Sequence, residues 1–316
     1  MKKIQLHAYA KINLTLDVTG RRPNGYHDVE MIMQQISLCD EVTVSWEAGS
    51  VRRGKPGQTA EPDPTGIQIQ LTVSRPDLPA DSSNLAWKAA EEMIAEFGGP
   101  AGGSSKAAAG TDAADGVLTI DIQKQIPMAA GLAGGSSNCA AVLHAINQLW
   151  ELNLSVKELC RIGARLGSDV PFCIMGQAAA EKALQESFAD DPDACHCALA
   201  TGTGTDLKPL TGLDSFIVLS KPAIGVSTAE VYRGIDNEGI PRHPDNNAVI
   251  SAICENNYKV LEEKMVNVLE NFALKRYPII VYTKNIMSDL CQSARISNCV
   301  MMSGSGPTVF CLCEEL

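Results

Sequence analysis

The 316-residue sequence has no apolar run long enough to cross a bilayer, which takes about twenty consecutive apolar residues. A leader pattern is missing as well, since Lys2-Lys3 is followed by His7 and Lys11 rather than by an apolar stretch. Positive charge is scarce: 26 Lys and Arg face 37 Asp and Glu, for a formal charge of −11. That balance excludes a nucleic-acid binder that depends on neutralising phosphates. A small anion remains admissible, because backbone N–H groups and one or two placed cations can hold phosphate in an acidic protein. Zinc-knuckle spacing is absent too. Cys195-His196-Cys197 and Cys311-Leu312-Cys313 have one residue between their thiols rather than two, and Cys311 and Cys313 would share one face of a strand. The eleven cysteines are scattered and mostly set in apolar runs, as at Cys160 and Cys173. They read as reduced, buried thiols rather than a secreted disulfide framework. These absences predict a soluble, cytoplasmic protein.

What is present can build a sizeable core. Hydrophobic residues make up 45% of the chain and charged residues 20%, and the length suggests two domains. No internal repeat is visible. Apolar alternation predicts strands at 4–18, 31–38, 41–46, 67–73 and 117–123, with Asp40 at a turn between the second and third. A helix capped by Asn84 or a preceding serine would carry Leu85, Ala89, Met93 and Phe97 on one face. Another would run over 137–152. Ser155-Val156-Lys157-Glu158 is a capping-box signature for a third, which closes at Gly167. Residues 47–65 read as loop. Residues 98–116 are almost all Gly, Ala, Ser and Asp, too poor in apolar surface to offset chain entropy, and read as a floppy insertion. The character changes after about Gly176, which sets the expected domains at 1–176 and 177–316. The second would combine strands at 215–220, 279–283 and 300–302 with helices at 247–254, 258–272 and 287–295, an α+β pattern.

Four segments could carry chemistry. The first is Pro127-Met128-Ala129-Ala130-Gly131-Leu132-Ala133-Gly134-Gly135-Ser136-Ser137-Asn138. Glycines before a helix let a ligand approach the main chain, and the helix start supplies free N–H groups and roughly half a positive charge. The Ser136 and Ser137 hydroxyls could cap the helix or touch phosphate and its metal. Neither the Walker pattern nor the dinucleotide Gly-x-Gly-x-x-Gly fits. The second is Ala8-Tyr9-Ala10-Lys11-Ile12-Asn13-Leu14, where Lys11 and Asn13 share a face of an apolar strand; alone, Lys11 could be an edge lysine snorkelling to water. The third is Gly167-Ser168-Asp169-Val170-Pro171-Phe172, whose aspartate could simply cap a local turn. The fourth, Ser303-Gly304-Ser305-Gly306-Pro307-Thr308, lies between two strand-like runs and could be a plain hairpin or an N–H-presenting turn.

In this order, the segments resemble the three motifs of the GHMP kinase superfamily: a lysine-bearing N-terminal strand, a Pro-x-x-x-Gly-Leu-x-x-Ser-Ser phosphate loop and a C-terminal glycine-rich turn. Gly20-Arg21-Arg22-Pro23-Asn24-Gly25-Tyr26-His27 distinguishes the chain from homoserine, galactose and mevalonate kinases. It matches the branch acting on a cytidine-diphosphate-linked methylerythritol. The resemblance runs from about Ala8 to Phe310, and departs at Ala133, where many relatives have glycine.

The resemblance implies a two-domain α+β fold, with a ribosomal-protein-S5-like N-terminal domain and a ferredoxin-like C-terminal domain. It implies transfer of the γ-phosphoryl group of ATP, with Mg²⁺, to a tertiary hydroxyl in the non-mevalonate isoprenoid pathway. The enzyme would act as a monomer or homodimer, without nucleic-acid or membrane partners. Asp169 would be the base and Lys11 a neighbour that keeps it ionised and stabilises charge during transfer. Residues 127–137 would hold the phosphates. Lys124 could neutralise phosphate, although a solvent-facing lysine explains it more simply, and Asn84 would lie on the adenosine side. Tyr26, His27, Thr228 and Tyr232 would receive the cytosine, and Asn13 the diphosphate or erythritol hydroxyls. A different GHMP kinase or a catalytically silent nucleotide-binding regulator would share the loop. The second has no need for both Lys11 and Asp169.

Overall fold

Apolar alternation from the N-terminus produces the two longest strands, β1 (Lys2–Arg21) and β2 (His27–Ala48). Leu6, Ala8, Ala10, Ile12, Leu14 and Leu16 are all buried along one face of β1, as a period of two requires. β2 passes without interruption through the turn expected at Asp40. The carboxylate there is fully buried and accepts from an ammonium, an amide and a backbone N–H. No exposed turn is needed to satisfy it.

Beyond them lie β3 (Ile67–Val73), α1 (Leu85–Phe97), β4 (Gly116–Gln123), α2 (Gly134–Leu149), α3 (Val156–Leu166), α4 (Val170–Ala180) and α5 (Gln185–Phe188). The rest of the chain forms β5 (Cys197–Thr201), β6 (Asp206–Leu210), β7 (Phe216–Ser220), α6 (Thr228–Glu238), α7 (Asn246–Cys254), α8 (Tyr258–Lys264), α9 (Glu270–Arg276), α10 (Pro278–Ala294), β8 (Val300–Met302) and β9 (Val309–Cys313). This computed structural model describes residues 1–49, 66–100 and 115–314. Most of the loop expected at 47–65 and of the insertion expected at 98–116 lies outside the described residues, although Gly116 itself opens β4.

The chain divides into two compact units, 1–9 with 38–125 and 134–194, and 10–37 with 126–133 and 195–316. A boundary at 176 would be sequential, whereas these units interleave, because β1 and β2 each give one end to each unit.

In the first unit, β4 pairs antiparallel with the C-terminal half of β2 (Val42↔Ile122, Val44↔Ile120) and parallel with β3 (Leu71↔Ile120). Helix α2 is buried on almost every face, and its run of Cys139, Ala140, Ala141 and Ala145 lets neighbouring helices come close. The capping box at Ser155 forms as expected, with Ser155 N donating to Glu158 at 2.9 Å. Gly163 is required where α3 meets α4: a Cβ there would stand 2.7 Å from Ile174 and 2.8 Å from Val170.

His144 sits fully buried in α2, with Nε2 donating to the Ile174 carbonyl (3.0 Å) and its ring edge-on to Phe188. Nδ1 has no partner, and loss of hydration pushes the imidazole down to about 4 from 6.5. The unfolded chain therefore binds a proton between those values that the folded chain refuses. This term is fully favourable above pH 6.5 and falls away as pH drops toward 4, by about 3 kcal/mol. Urea titrations at pH 7 and 4.5 should show that loss, and His144→Gln should flatten it. An unchanged pH slope in the variant would clear His144 of the effect.

In the second unit, the N-terminal half of β2 pairs with β5 (Met31↔Ala200) and β5 with β6, all antiparallel. A separate antiparallel sheet has the order β7-β9-β8. Two expectations fail here. The apolar run at 279–283 is not a strand but the first turns of α10, started by Pro278 in its first turn. It buries Ile280 and leaves Ile279 and Tyr282 exposed. The helix expected over 258–272 breaks into α8 and α9, because residues 266–268 turn their backbone to β1: Leu16 N donates to Val266 O and Val268 N to Leu16 O, both 2.9 Å. Eight of the eleven cysteines are buried, as their apolar settings predict, while Cys39 and Cys160 are half-buried and Cys254 is exposed. The sulfurs of Cys311 and Cys313 lie 3.9 Å apart on one face of β9. Among the described residues, no helix is long and apolar enough to cross a membrane, and no group of three or more His, Cys, Asp or Glu could hold a metal.

Candidate active site

The glycine-rich segment adopts the left-handed backbone three times in five residues, at Ala129 (φ 45°), Gly131 (φ 75°) and Ala133 (φ 57°). For the two alanines this costs roughly 1–2 kcal/mol each, so the shape must be held from outside. In the second unit, which contains 126–133, Lys11 N donates to Leu132 O (3.2 Å) and Ser303 Oγ to Gly131 O (3.0 Å). Thr308 N reaches Ala130 O at 3.4 Å. The lysine strand, the loop and the C-terminal turn are thus in direct contact within one unit.

Lys11 is only 4% exposed and its ammonium donates to Asn13 Oδ1 at 2.7 Å. This burial rules out a lysine snorkelling to water. Asn13 is fully buried and also donates to Met31 Sδ (3.2 Å). The C-terminal turn between β8 and β9 closes through Ser303 N on Thr308 O and Gly306 N on Ser303 O, each 2.9 Å. Asn267 braces it by donating to Met302 O and Gly304 O, both at 2.8 Å.

Thr228 meets this turn, its hydroxyl 2.9 Å from Ser305 Oγ. Tyr232 lies one turn further along α6, its ring 5.1 Å from that of His27 and tilted by 37°. His27 Nε2 is 2.7 Å from Asp236, which also faces Arg21 at 3.4 Å. Tyr26 stands 65% exposed, an aromatic face open to a ligand.

In the first unit, α2 opens at Gly134, three residues before the start expected from a serine cap. The N–H groups of residues 134–137 therefore form its first turn and have no partner within the helix. The two serines separate in role. Ser137 is buried and donates to Tyr9 O (2.6 Å), while Gln177 Nε2 holds its carbonyl (2.9 Å) and hydroxyl (3.2 Å). Ser136 is half-buried and has no such bonds. A Cβ on Gly135 would come within 3.7 Å of Leu85, which puts the starts of α1 and α2 side by side. Asn84 is occupied at both ends of its amide, accepting from Ala86 N (2.9 Å) and donating to Pro79 O (2.8 Å).

Lys124 is not a solvent-facing lysine. Its side chain is 7% exposed and its ammonium contacts Asp40 and Asn138. Asp169 occupies the N-cap position of α4 but makes no capping hydrogen bond with its side chain, unlike an ordinary turn aspartate. Neither Lys11 nor Asp169 lacks an interaction partner. They belong to different units. Sequence reading gave Asp40 only a turn and overlooked Asp236 and Asn267. Asp40 alone left a signal, an acid inside an otherwise apolar strand.

Residues 84–177 match the family described as GHMP kinases N terminal domain. A 4-diphosphocytidyl-2-C-methyl-D-erythritol kinase from Alkaliphilus metalliredigens is 41% identical over 311 residues, covering 98% of this chain and 88% of the relative. A crystal structure of 4-(cytidine 5'-diphospho)-2C-methyl-D-erythritol kinase superposes with a TM-score of 0.67 at 28% identity, over 98% of this chain and 90% of that one. The fold extends to a homoserine kinase from Cytophaga hutchinsonii, with TM-score 0.59 and 16% identity over 99% and 85% of the two chains.

Proposed function

The chain belongs to the 4-diphosphocytidyl-2-C-methyl-D-erythritol kinases, within the GHMP superfamily, and we propose on that footing which residues perform the reaction. It is a phosphotransferase that moves the γ-phosphoryl group of ATP to the 2-hydroxyl of 4-(cytidine 5'-diphospho)-2-C-methyl-D-erythritol, an isoprenoid precursor of the non-mevalonate pathway. The observation that carries the assignment of residues is the strained 129–133 segment, bonded to both the Lys11 strand and the Ser303 turn.

A tertiary hydroxyl is a weak acid and a crowded nucleophile, so positioning and a nearby base matter most. Asp169 takes the hydroxyl proton as the oxygen attacks phosphorus. The bond from phosphorus to the bridging oxygen breaks, and ADP leaves with that electron pair. Lys11 counters negative charge on the phosphoryl oxygens as transfer proceeds. The N–H groups of Gly131, Leu132, Gly134, Gly135 and Ser136 hold the phosphates, with Pro127, Met128, Ala129, Ala130 and Ala133 shaping the approach. Asn84 and Leu85 border the adenosine. Mg²⁺, when bound, would supply positive charge that offsets the charge of the nucleotide phosphates. It usually enters with the nucleotide rather than in an all-protein cage. Ser136 is the hydroxyl that suits it, since Ser137 donates to Tyr9. Tyr26 and Tyr232 enclose the cytosine, His27 meets its polar edge through the backbone, and Thr228 steadies the adjoining turn. Asn13 faces the diphosphate or the erythritol hydroxyls. We place this chemistry in the cytoplasm, where ATP is available.

Offering CDP-methylerythritol, homoserine and mevalonate side by side with ATP and Mg²⁺ tests the substrate directly. Only the first should turn over. Rapid phosphorylation of either of the others would overturn the reading. The base slot has its own test. Stacking contributes on the order of 1–3 kcal/mol per aromatic face, so Tyr26→Ala should raise KM for the cytidine substrate about tenfold and KM for ATP by less than twofold. If the two rise alike, the slot lies elsewhere.

A further inference from the structure

We infer that Asp40, Lys124 and Asn138 form a positioning clamp that sets both ends of the phosphate loop, an assignment that rests on the kinase reading above. The three side chains close a ring. The Lys124 ammonium sits on Asp40 Oδ2 and donates to Asn138 Oδ1 (3.1 Å), while Asn138 Nδ2 donates to Asp40 Oδ2 (2.8 Å). A fourth bond runs from Gln125 N to Asp40 Oδ1 at 2.6 Å. Lys124 N is in turn held by Ser74 Oγ (2.9 Å), just past the end of β3. Asp40 and Asn138 are 0% and 4% exposed.

The place of these residues in the chain gives the ring its meaning. Gln125 is the last residue before the segment 126–137, which comprises the loop 126–133 and the first turn of α2, and Asn138 is the first after it. One carboxylate, fixed in the middle of a long strand, therefore receives a donor from each side of the loop. That loop holds three left-handed residues, two of them alanine, and would relax if its ends could drift. N–H groups that hold phosphate must be kept within about half an ångström. Directional bonds to both ends meet that need, whereas apolar packing would not orient them.

The ionic character supports the same conclusion. An apolar trio of similar volume would often stabilise the fold as well or better than a buried ion pair, so stability alone does not account for these charges. An ammonium already shared between two acceptors, and nearly out of solvent, is also poorly placed to meet phosphate itself. Lys124 acts on the nucleotide through the loop.

Three single variants, one double variant and two readouts test this. In Asp40→Asn, Lys124→Met and Asn138→Ala, hydrogen exchange at 126–137 in the ligand-free protein should quicken at least about tenfold, with α1 unchanged. Asn138→Ala leaves no charge unbalanced, so it reports even if the charge variants fold poorly. KM for ATP should rise about tenfold in both Asp40→Asn and Lys124→Met, and KM for the alcohol by less than twofold. The double variant Asp40→Asn/Lys124→Met should be no worse than either single one, since the residues act as a unit. Unchanged exchange in the loop overturns the clamp. So does a rise in KM for ATP confined to Lys124→Met, which would make Lys124 a direct phosphate ligand. The exchange measurement needs no substrate, so it judges the clamp even if the substrate assay fails.

Discussion

Asp169→Asn should lower kcat by about a thousandfold while leaving KM for ATP and for the cytidine substrate within threefold. A positioned base contributes on the order of 10²–10⁴ in rate, and an amide cannot accept the hydroxyl proton. The substitution suits the site because Asn keeps the shape of the Asp side chain and removes only its charge and basicity. Asp169 caps α4 by position but not by a side-chain bond, and Asn is as good an N-cap residue as Asp. Thermal unfolding should therefore stay close to the parent while turnover is lost. That combination separates loss of chemistry from loss of fold. Near-parental turnover would remove Asp169 from the reaction, and a large rise in KM at constant kcat would make it a binding group instead.

Much of the fold is legible where periodicity is long or caps are explicit. The bounds of β3 and the Ser155 capping box follow from local residue chemistry, and of the caps open to α1, Asn84 or a preceding serine, Asn84 is the one used. The failures come from contacts remote in sequence. Asp40 reads as a turn because an acid in a strand has no local partner, and its partners lie 84 and 98 residues away. Ile279-Ile280-Val281 reads as strand because β-branched residues favour it, yet Pro278 starts a helix there and Ile280 takes a core position. Residues 258–272 read as one helix because nothing in them announces the backbone pairing of 266–268 with Leu16. Lys11 and Asn13 are legible as a pair because a strand places alternate residues on one face, and they do bond. The separate roles of Ser136 and Ser137 are not legible. Which hydroxyl turns inward depends on where α2 begins, and that is set by the Tyr9 and Gln177 contacts.

Gly131→Ala should be the most damaging single-methyl change in the loop, lowering kcat/KM for ATP by about a hundredfold and Tm by several degrees. At φ 75° an L-residue already costs roughly 1–2 kcal/mol. The added Cβ would stand 2.1 Å from the Ser303 carbonyl oxygen and 3.2 Å from Gly306 N. These are backbone atoms, so no rotamer change relieves the clash. The turn that carries them cannot retreat cheaply, because Asn267 fixes it by two 2.8 Å bonds. The loop must move instead, and with it the Lys11 N to Leu132 O bond. At about 2–4 °C per kcal/mol for a domain of 150–250 residues, a total near 3 kcal/mol gives a shift of about 6–12 °C. Gly135→Ala is the contrast. Its Cβ would make an ordinary 3.7 Å contact with Leu85 inside a helix, where alanine is favoured over glycine, so its Tm should hold or rise. Equal Tm values for the two variants would show that the contact with Ser303 is not what shapes the loop.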